Sequence, residues 1–328
     1  MSRFLKYTGM FTGGILLAFV SLFSWMHINY PNVGDAPEIT IKGTPAQIER
    51  GRYLANHVTV CIDCHSTRDW SKFAGPVIPG TFGKGGEKFG EEMGFPGTFY
   101  SRNITPFNLK NWTDGEVFRL ITTGVKKDGN PIFPVMPYPS YANMDTSDVK
   151  AIIAYIRTLD PINSQPPASH ANFPMSLIER TIPQKAQPMK RPPVSDTIAY
   201  GKYLTLIGGC GDCHTPKNQG QPIEGKYLAG GFVFEMPTGT IRSANITPDR
   251  ETGIGDWTLQ QFINRFREYN IPYDEVPGIA NSKFQTVMPW TMYGGMKEED
   301  LTAIFKYLQA IAPVQNKVDH FTPLTASN

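Results

Sequence analysis

The sequence predicts an all-α fold, with two tandem helical domains preceded by one N-terminal transmembrane helix. Three observations carry this. An uncharged run from Tyr7 to Ile28 follows Arg3 and Lys6. The block Cys61-Ile62-Asp63-Cys64-His65 recurs 149 residues later as Cys210-Gly211-Asp212-Cys213-His214. Each block is followed by segments whose apolar residues recur at the helical period. A length of 328 residues suits two domains, at roughly 150 residues each.

The elements follow in chain order. Residues 1–30 form the anchor, because 22 uncharged residues suffice for one helix across about 30 Å of hydrocarbon. The basic residues lie on its N-terminal side. The N-terminus is therefore expected to stay in the cytoplasm and the body to be exported. A cleaved signal peptide is the competing reading, but no A-x-A-like site follows the run. Residues 31–43 are a tether.

Residues 44–160 form the first domain. Thr44 and Pro45 read as N-cap and first helical position, opening a helix toward Cys61. Thr113 opens a middle helix carrying Val117, Leu120 and Ile121 and ending near Gly124. Val149, Ile152, Ile153 and Ile156 give the last helix one apolar face. Residues 161–193 hold eight prolines and read as a stiff linker. Residues 194–315 repeat the pattern. Ser195 or Asp196 opens the first helix, Thr258 the middle one, and Leu301, Ile304, Phe305 and Leu308 face inward from the last. Residues 316–328 form a tail. Gly51 and Gly201 sit inside helices, where glycine costs about 1 kcal/mol relative to alanine. Close crossing by another helix, with Tyr155 or Tyr307 over the gap, would explain them. The chain between each Cys-x-x-Cys-His block and the middle helix reads as loop, and Gly80–Gly86 as a covering loop.

Composition excludes several classes. The formal charge of +2 comes from 31 basic and 29 acidic residues. It is equally balanced within each domain, with 14 and 14 over residues 31–165 and 13 and 14 over residues 190–328. That does not suit nucleic-acid binding. Only one run is long and apolar enough to span a bilayer, so the chain is not polytopic.

The chemistry lies in the repeated block. Cys-x-x-Cys-His reads as covalent haem attachment. The two thiols add to the haem vinyl groups, and the adjacent histidine becomes the proximal iron ligand. All four cysteines are thereby used. A zinc site made of both pairs would not need a histidine after each. A thioredoxin-like pair belongs near a βαβ pattern, which is absent.

The flanks repeat as well. Gly51-Arg52-Tyr53-Leu54 matches Gly201-Lys202-Tyr203-Leu204. Asn103-Ile104-Thr105-Pro106 matches Asn245-Ile246-Thr247-Pro248, and Trp112-Thr113 matches Trp257-Thr258. Val135-Met136-Pro137-Tyr138 matches Val287-Met288-Pro289-Trp290. A six-coordinate haem needs a distal ligand, usually Met or His. Met136 and Met288 are the candidates, each stiffened by a following proline. Met144 and Met296 also repeat and are read as packing residues. Of the histidines outside the blocks, His57 reads as a surface or propionate-contacting residue. His170 is a solvated linker residue, the only plausible extra ligand.

These residues resemble tandem class I cytochrome c domains. The Asn-Ile-Thr-Pro, Trp-Thr and Met-Pro-aromatic series is similar to the cytochrome c subunits of membrane-bound alcohol, sugar and gluconate dehydrogenases. Those subunits usually carry three haem motifs, against two here. The expected function is a dihaem c-type cytochrome in the cytoplasmic membrane, with its two haem domains on the periplasmic side. It is expected to be an electron carrier and not an enzyme. It would take electrons from a quinol-oxidising complex or membrane-bound dehydrogenase and pass them to a cytochrome or terminal oxidase. A dihaem cytochrome c peroxidase is the alternative. It would need one iron with an open distal site, which the matching Met-Pro segments disfavour.

Overall fold

The computed structural model describes residues 3–236, 238–279 and 284–323. Arg3–Asn29 is one helix. Its Met10–Asn29 stretch has a mean hydropathy of 1.6 and none of it is buried. The helix is long and apolar enough to cross a membrane.

Each repeat is built on a crossed pair of helices. In the first, Pro45–Tyr53 packs on Thr146–Ile156. In the second, Thr197–Ile207 packs on Glu298–Ala310. Glycine permits the crossing. A Cβ on Gly51 would lie 1.8 Å from Ala151 O, and one on Gly201 would lie 1.9 Å from Ala303 O. Tyr155 and Tyr307 lie over the two gaps. The apolar faces read from the sequence are buried, with Val149, Ile153, Leu301 and Leu308 at most 2% exposed.

The middle helices are Asp114–Thr123 and Leu259–Arg267. Both open on a capping box, Thr113 with Glu116 and Thr258 with Gln261. Each hydroxyl accepts an N3 amide and each N3 side chain accepts the cap amide, so two otherwise orphaned donors are satisfied. Core residues of the two repeats form one continuous cluster.

The fold is not plainly all-α, which corrects the expectation. The described residues include three small antiparallel sheets. Lys88–Phe89 pairs with Gly97–Tyr100, which pairs with His170–Ala171. Val233–Met236 pairs with Gly239–Arg242, which pairs with Phe321–Pro323. A third sheet joins Lys217–Asn218 to Gln221–Pro222. The two three-stranded sheets have a common cause, a return path shared by both repeats. After its last helix the chain runs back over the segment ahead of the middle helix and adds a strand to it.

Asn103 and Asn245 hold that path. Asn103 Nδ2 donates to Ile162 O and Ser164 O, at 2.8 and 3.0 Å. Asn245 Nδ2 donates to Val314 O at 2.8 Å. The stretch 161–193 is therefore more than a spacer. His170 lies exposed on the added strand, and Arg102 Nη1 donates to Pro166 O and Pro167 O.

The repeats differ by one residue before the cysteines. Tyr53 precedes Cys61 by eight residues, whereas Tyr203 precedes Cys210 by seven. The first repeat absorbs the extra residue in a π-helical turn, Leu54–Val58, where Thr59 N donates to Leu54 O at 2.8 Å.

Candidate functional site

Each Cys-x-x-Cys-His block forms a short helical turn, Cys61–Cys64 and Cys210–His214. A left-handed residue enters each turn, Val60 at φ 44° and Gly209 at φ 66°. Glycine takes this conformation freely. A β-branched valine there is strained and must be held by its surroundings. The turn places both thiols and the histidine on one short stretch.

The cysteines form no disulfide; Cys61, Cys64 and Cys210 are half-buried and Cys213 is exposed. Burial pushes the Cys64 and Cys210 thiols up to about 12, so both are neutral near pH 7. Among the described residues, no group of three or more His, Cys, Asp or Glu side chains converges to hold a metal ion.

The histidines are oriented from behind. His65 Nδ1 lies 2.6 Å from Arg102 O, and His214 Nδ1 lies 2.8 Å from Ala244 O. A carbonyl can only accept, so Nδ1 carries the proton and Nε2 keeps its lone pair. Burial also lowers both imidazole pKa values and favours the neutral ring. A neutral imidazole with a fixed tautomer is the form that ligates a metal.

The accepting carbonyls belong to the residues just before Asn103 and Asn245. In each Asn-Ile-Thr-Pro motif the asparagine Oδ1 accepts the threonine amide and hydroxyl at 2.7–3.0 Å. The motif thus fixes the carbonyl that fixes the histidine. Sequence reasoning found the motif but not this role. Gly85 and Gly230 close the same contact, donating to His65 O and His214 O at 2.8 and 2.7 Å. Gly85 in the Gly80–Gly86 loop therefore packs on the histidine segment.

The methionine segments match in detail. Pro137 has φ −76° and ψ 51°, and Pro289 has φ −78° and ψ 63°. Tyr138 N donates to Met136 O at 2.7 Å, and Trp290 N donates to Met288 O at 2.8 Å. Both are inverse γ-turns, held by proline and an i to i+2 hydrogen bond. Met136 and Met288 are partly buried against the core. Met144 and Met296 are 1% and 3% exposed within it.

Charge around the two attachment turns differs. Asp63 is buried with Arg68 at 3.2 Å. Burial outweighs the guanidinium and lifts the Asp63 carboxyl to about 6. Arg68 lies 4.1 Å from the Trp70 ring centroid. Asp212, the counterpart of Asp63, instead accepts Ser140 Oγ from the first repeat at 2.9 Å.

His57 is half-buried and bridges the two repeats. Its Nδ1 donates to Met292 O of the second repeat at 2.8 Å, and its ring lies under Gly295.

The donor set fits a covalently attached haem in each repeat. It has two unpaired thiols on one turn, an adjacent imidazole with a bare Nε2, and a thioether in a stiff turn.

No protein-family model matches the chain. It is 27% identical over 286 residues to the alcohol dehydrogenase (quinone) cytochrome c subunit of Gluconobacter oxydans (strain 621H), covering 82% of this chain and 55% of that protein. It is 29% identical over 278 residues to the fructose dehydrogenase cytochrome subunit of Gluconobacter japonicus, covering 80% and 52%. It is 26% identical over 317 residues to a diheme cytochrome c-type protein of Cereibacter sphaeroides, covering 93% and 98%. The chain thus spans little more than half the length of the dehydrogenase subunits. It resembles cytochrome c subunits of dehydrogenases and a diheme cytochrome c.

Proposed function

We propose that the chain is a membrane-anchored dihaem c-type cytochrome, an electron carrier and not a catalyst. It would accept electrons from a membrane-bound dehydrogenase or a quinol-oxidising complex and deliver them to a cytochrome or terminal oxidase. The two haem domains span residues 44–160 and 194–315 and lie on the periplasmic side, tethered by the Arg3–Asn29 helix.

The single observation that carries this is the duplicated donor set. Cys61 and Cys64, and Cys210 and Cys213, are the thioether donors. His65 and His214 are the proximal ligands, held as Nδ1-H tautomers by Arg102 O and Ala244 O. Met136 and Met288 are the distal ligands, each opening an inverse γ-turn that stiffens its backbone. When bound, each haem supplies a one-electron iron couple, whose potential methionine ligation raises. The chain's part is to bind, orient and bury that couple. The similarity to dehydrogenase cytochrome subunits supports a dehydrogenase donor.

The test is haem quantification with optical and EPR spectra of the oxidised protein. Two low-spin haems per chain, both showing the near-infrared methionine–iron band, are expected. One haem, or one high-spin iron, would overturn the assignment and turn attention to peroxide turnover.

A further inference from the structure

The two methionine segments are alike in their turns but not in what holds them. From Trp257 to Met288 the chain runs 31 residues, against 24 from Trp112 to Met136. The longer segment of the second repeat is gripped by residues 69–75 of the first. Phe73 N donates to Pro277 O at 2.8 Å, and Ile279 N donates to Ser71 O at 2.9 Å. Lys72 Nζ donates to Val276 O at 3.0 Å, and Tyr273 Oη to Asp69 Oδ2 at 2.7 Å. The Phe73 ring stacks on Tyr269 with centroids 5.4 Å apart.

Gln285 is the centre of this grip and is 2% exposed. Its Oε1 accepts Ala74 N at 2.8 Å and Thr286 N at 3.0 Å. Its Nε2 donates to Lys72 O at 2.9 Å and Trp70 O at 3.2 Å. The amide thereby uses both donors and both lone pairs. Thr286 Oγ1 then accepts Met288 N at 3.1 Å. A continuous hydrogen-bonded path therefore joins the first repeat's backbone to the Met288 backbone. The first repeat has no such device at the same position. Phe133 stands three residues before Met136 and stacks on Phe99 of its own repeat, with centroids 4.6 Å apart.

We propose that Gln285 is a positioning residue through which the 69–75 segment of the first repeat fixes Met288, so that one haem domain sets the distal ligation of the other. The proposal rests on Met288 being a haem ligand. Its physical basis is the cost of leaving Trp70 O, Lys72 O and Ala74 N buried without partners, which exceeds the net worth of the bonds themselves.

The test uses the full-length holoprotein with Gln285→Met, close in volume but without the amide, and Gln285→Glu, which keeps the acceptor and loses both donors. Imidazole is titrated into the oxidised protein, and the near-infrared band and both potentials are recorded. Each variant is expected to bind imidazole about tenfold more tightly at one haem, as loss of buried hydrogen bonds frees the loop. The band should weaken and one potential fall, while the other haem is unchanged. Unaltered imidazole affinity, band and potentials in Gln285→Glu, with one haem's share of the band lost in Met288→Ala, would overturn the positioning role alone. An intact band in Met288→Ala would overturn the ligand assignment and the proposal with it.

Discussion

The Tyr53 hydroxyl of the first repeat lies 2.5 Å from the Asp300 carboxylate of the second, and accepts Lys297 N at 3.0 Å. Tyr203 returns the contact, 2.7 Å from Asp148 and accepting Asp145 N at 3.2 Å. Lys297 and Asp145 are the N-caps of the two last helices. Each repeat therefore caps the last helix of the other, satisfying one of its orphaned amides. The exchange is not symmetric in charge. Asp148 is also paired with Arg50 and Arg191, at 3.0 and 2.5 Å. The second-repeat residue matching Arg50 is Tyr200, so among the described residues Asp300 has the Tyr53 hydroxyl and no guanidinium partner, where Asp148 has two arginines besides Tyr203.

That asymmetry ranks two substitutions. Tyr53→Phe removes the main donor to a buried carboxylate and strands Lys297 N. It should cost about 2–3 kcal/mol of stability. Tyr203→Phe leaves Asp148 its two arginines and should cost about 1 kcal/mol. Urea denaturation of the holoprotein measures both. Equal losses, or the reverse order, would show that the arginines do not compensate.

Asp300 also carries a pH dependence. Burial raises its carboxyl above the ordinary 3.8, against the pull of Tyr53, Tyr200 and Arg50, while nearby Glu299 pushes it further up. A carboxyl raised in the folded state holds its proton longer there than in the unfolded chain. Its stabilising contribution is complete below the unfolded value and is lost as pH rises through the folded one. Asp300→Asn removes this loss. Stability of the wild type relative to Asp300→Asn should therefore fall as pH rises from about 4. A pH-independent difference would mean that Asp300 does not titrate in this range.

Gly51→Ala and Gly201→Ala should each destabilise the fold by about 3 kcal/mol or more, despite the better helix propensity of alanine. The added carbon would lie under 2 Å from a backbone carbonyl of the crossing helix, which no rotamer change relieves. Thermal melts at matched haem content would show this. Wild-type stability in either variant would mean that the two helices can part at little cost.

The repeats, the helix faces and the capping at Thr113 and Thr258 were legible in the sequence because each is a local or periodic pattern. So was the glycine crossing, where a costly residue stood twice in the same place. The strands were not. His170 pairs with Thr98 and Phe321 with Ile241, across separations that leave no local signature in pieces two to four residues long. The asparagine motifs were seen, but their grip on the returning chain and on the histidine carbonyl is a tertiary fact. His57 and Gln285 act across the seam between repeats, and no repeated motif marks them. The nearest available signal for Gln285 was the extra length of the chain before Met288.

The proposed assignment gives the four repeating methionines two chemical roles, and substitution at one repeat tests it. Met144 is 1% exposed within the core. Met144→Ala should cost about 2–4 kcal/mol through the cavity it leaves, with the near-infrared band intact. Met136 is only partly buried, and its backbone is set by Pro137 and the bond from Tyr138 N. Met136→Ala should lose one haem's share of the band and lower that haem's potential, because a thioether ligand favours the reduced iron. Its effect on stability should be smaller than that of Met144→Ala, since less of the side chain is packed. Loss of the band in Met144→Ala with retention in Met136→Ala would reverse the assignment in the first repeat. It would also place the ligand beyond the γ-turn that makes Met136 the stiffer donor.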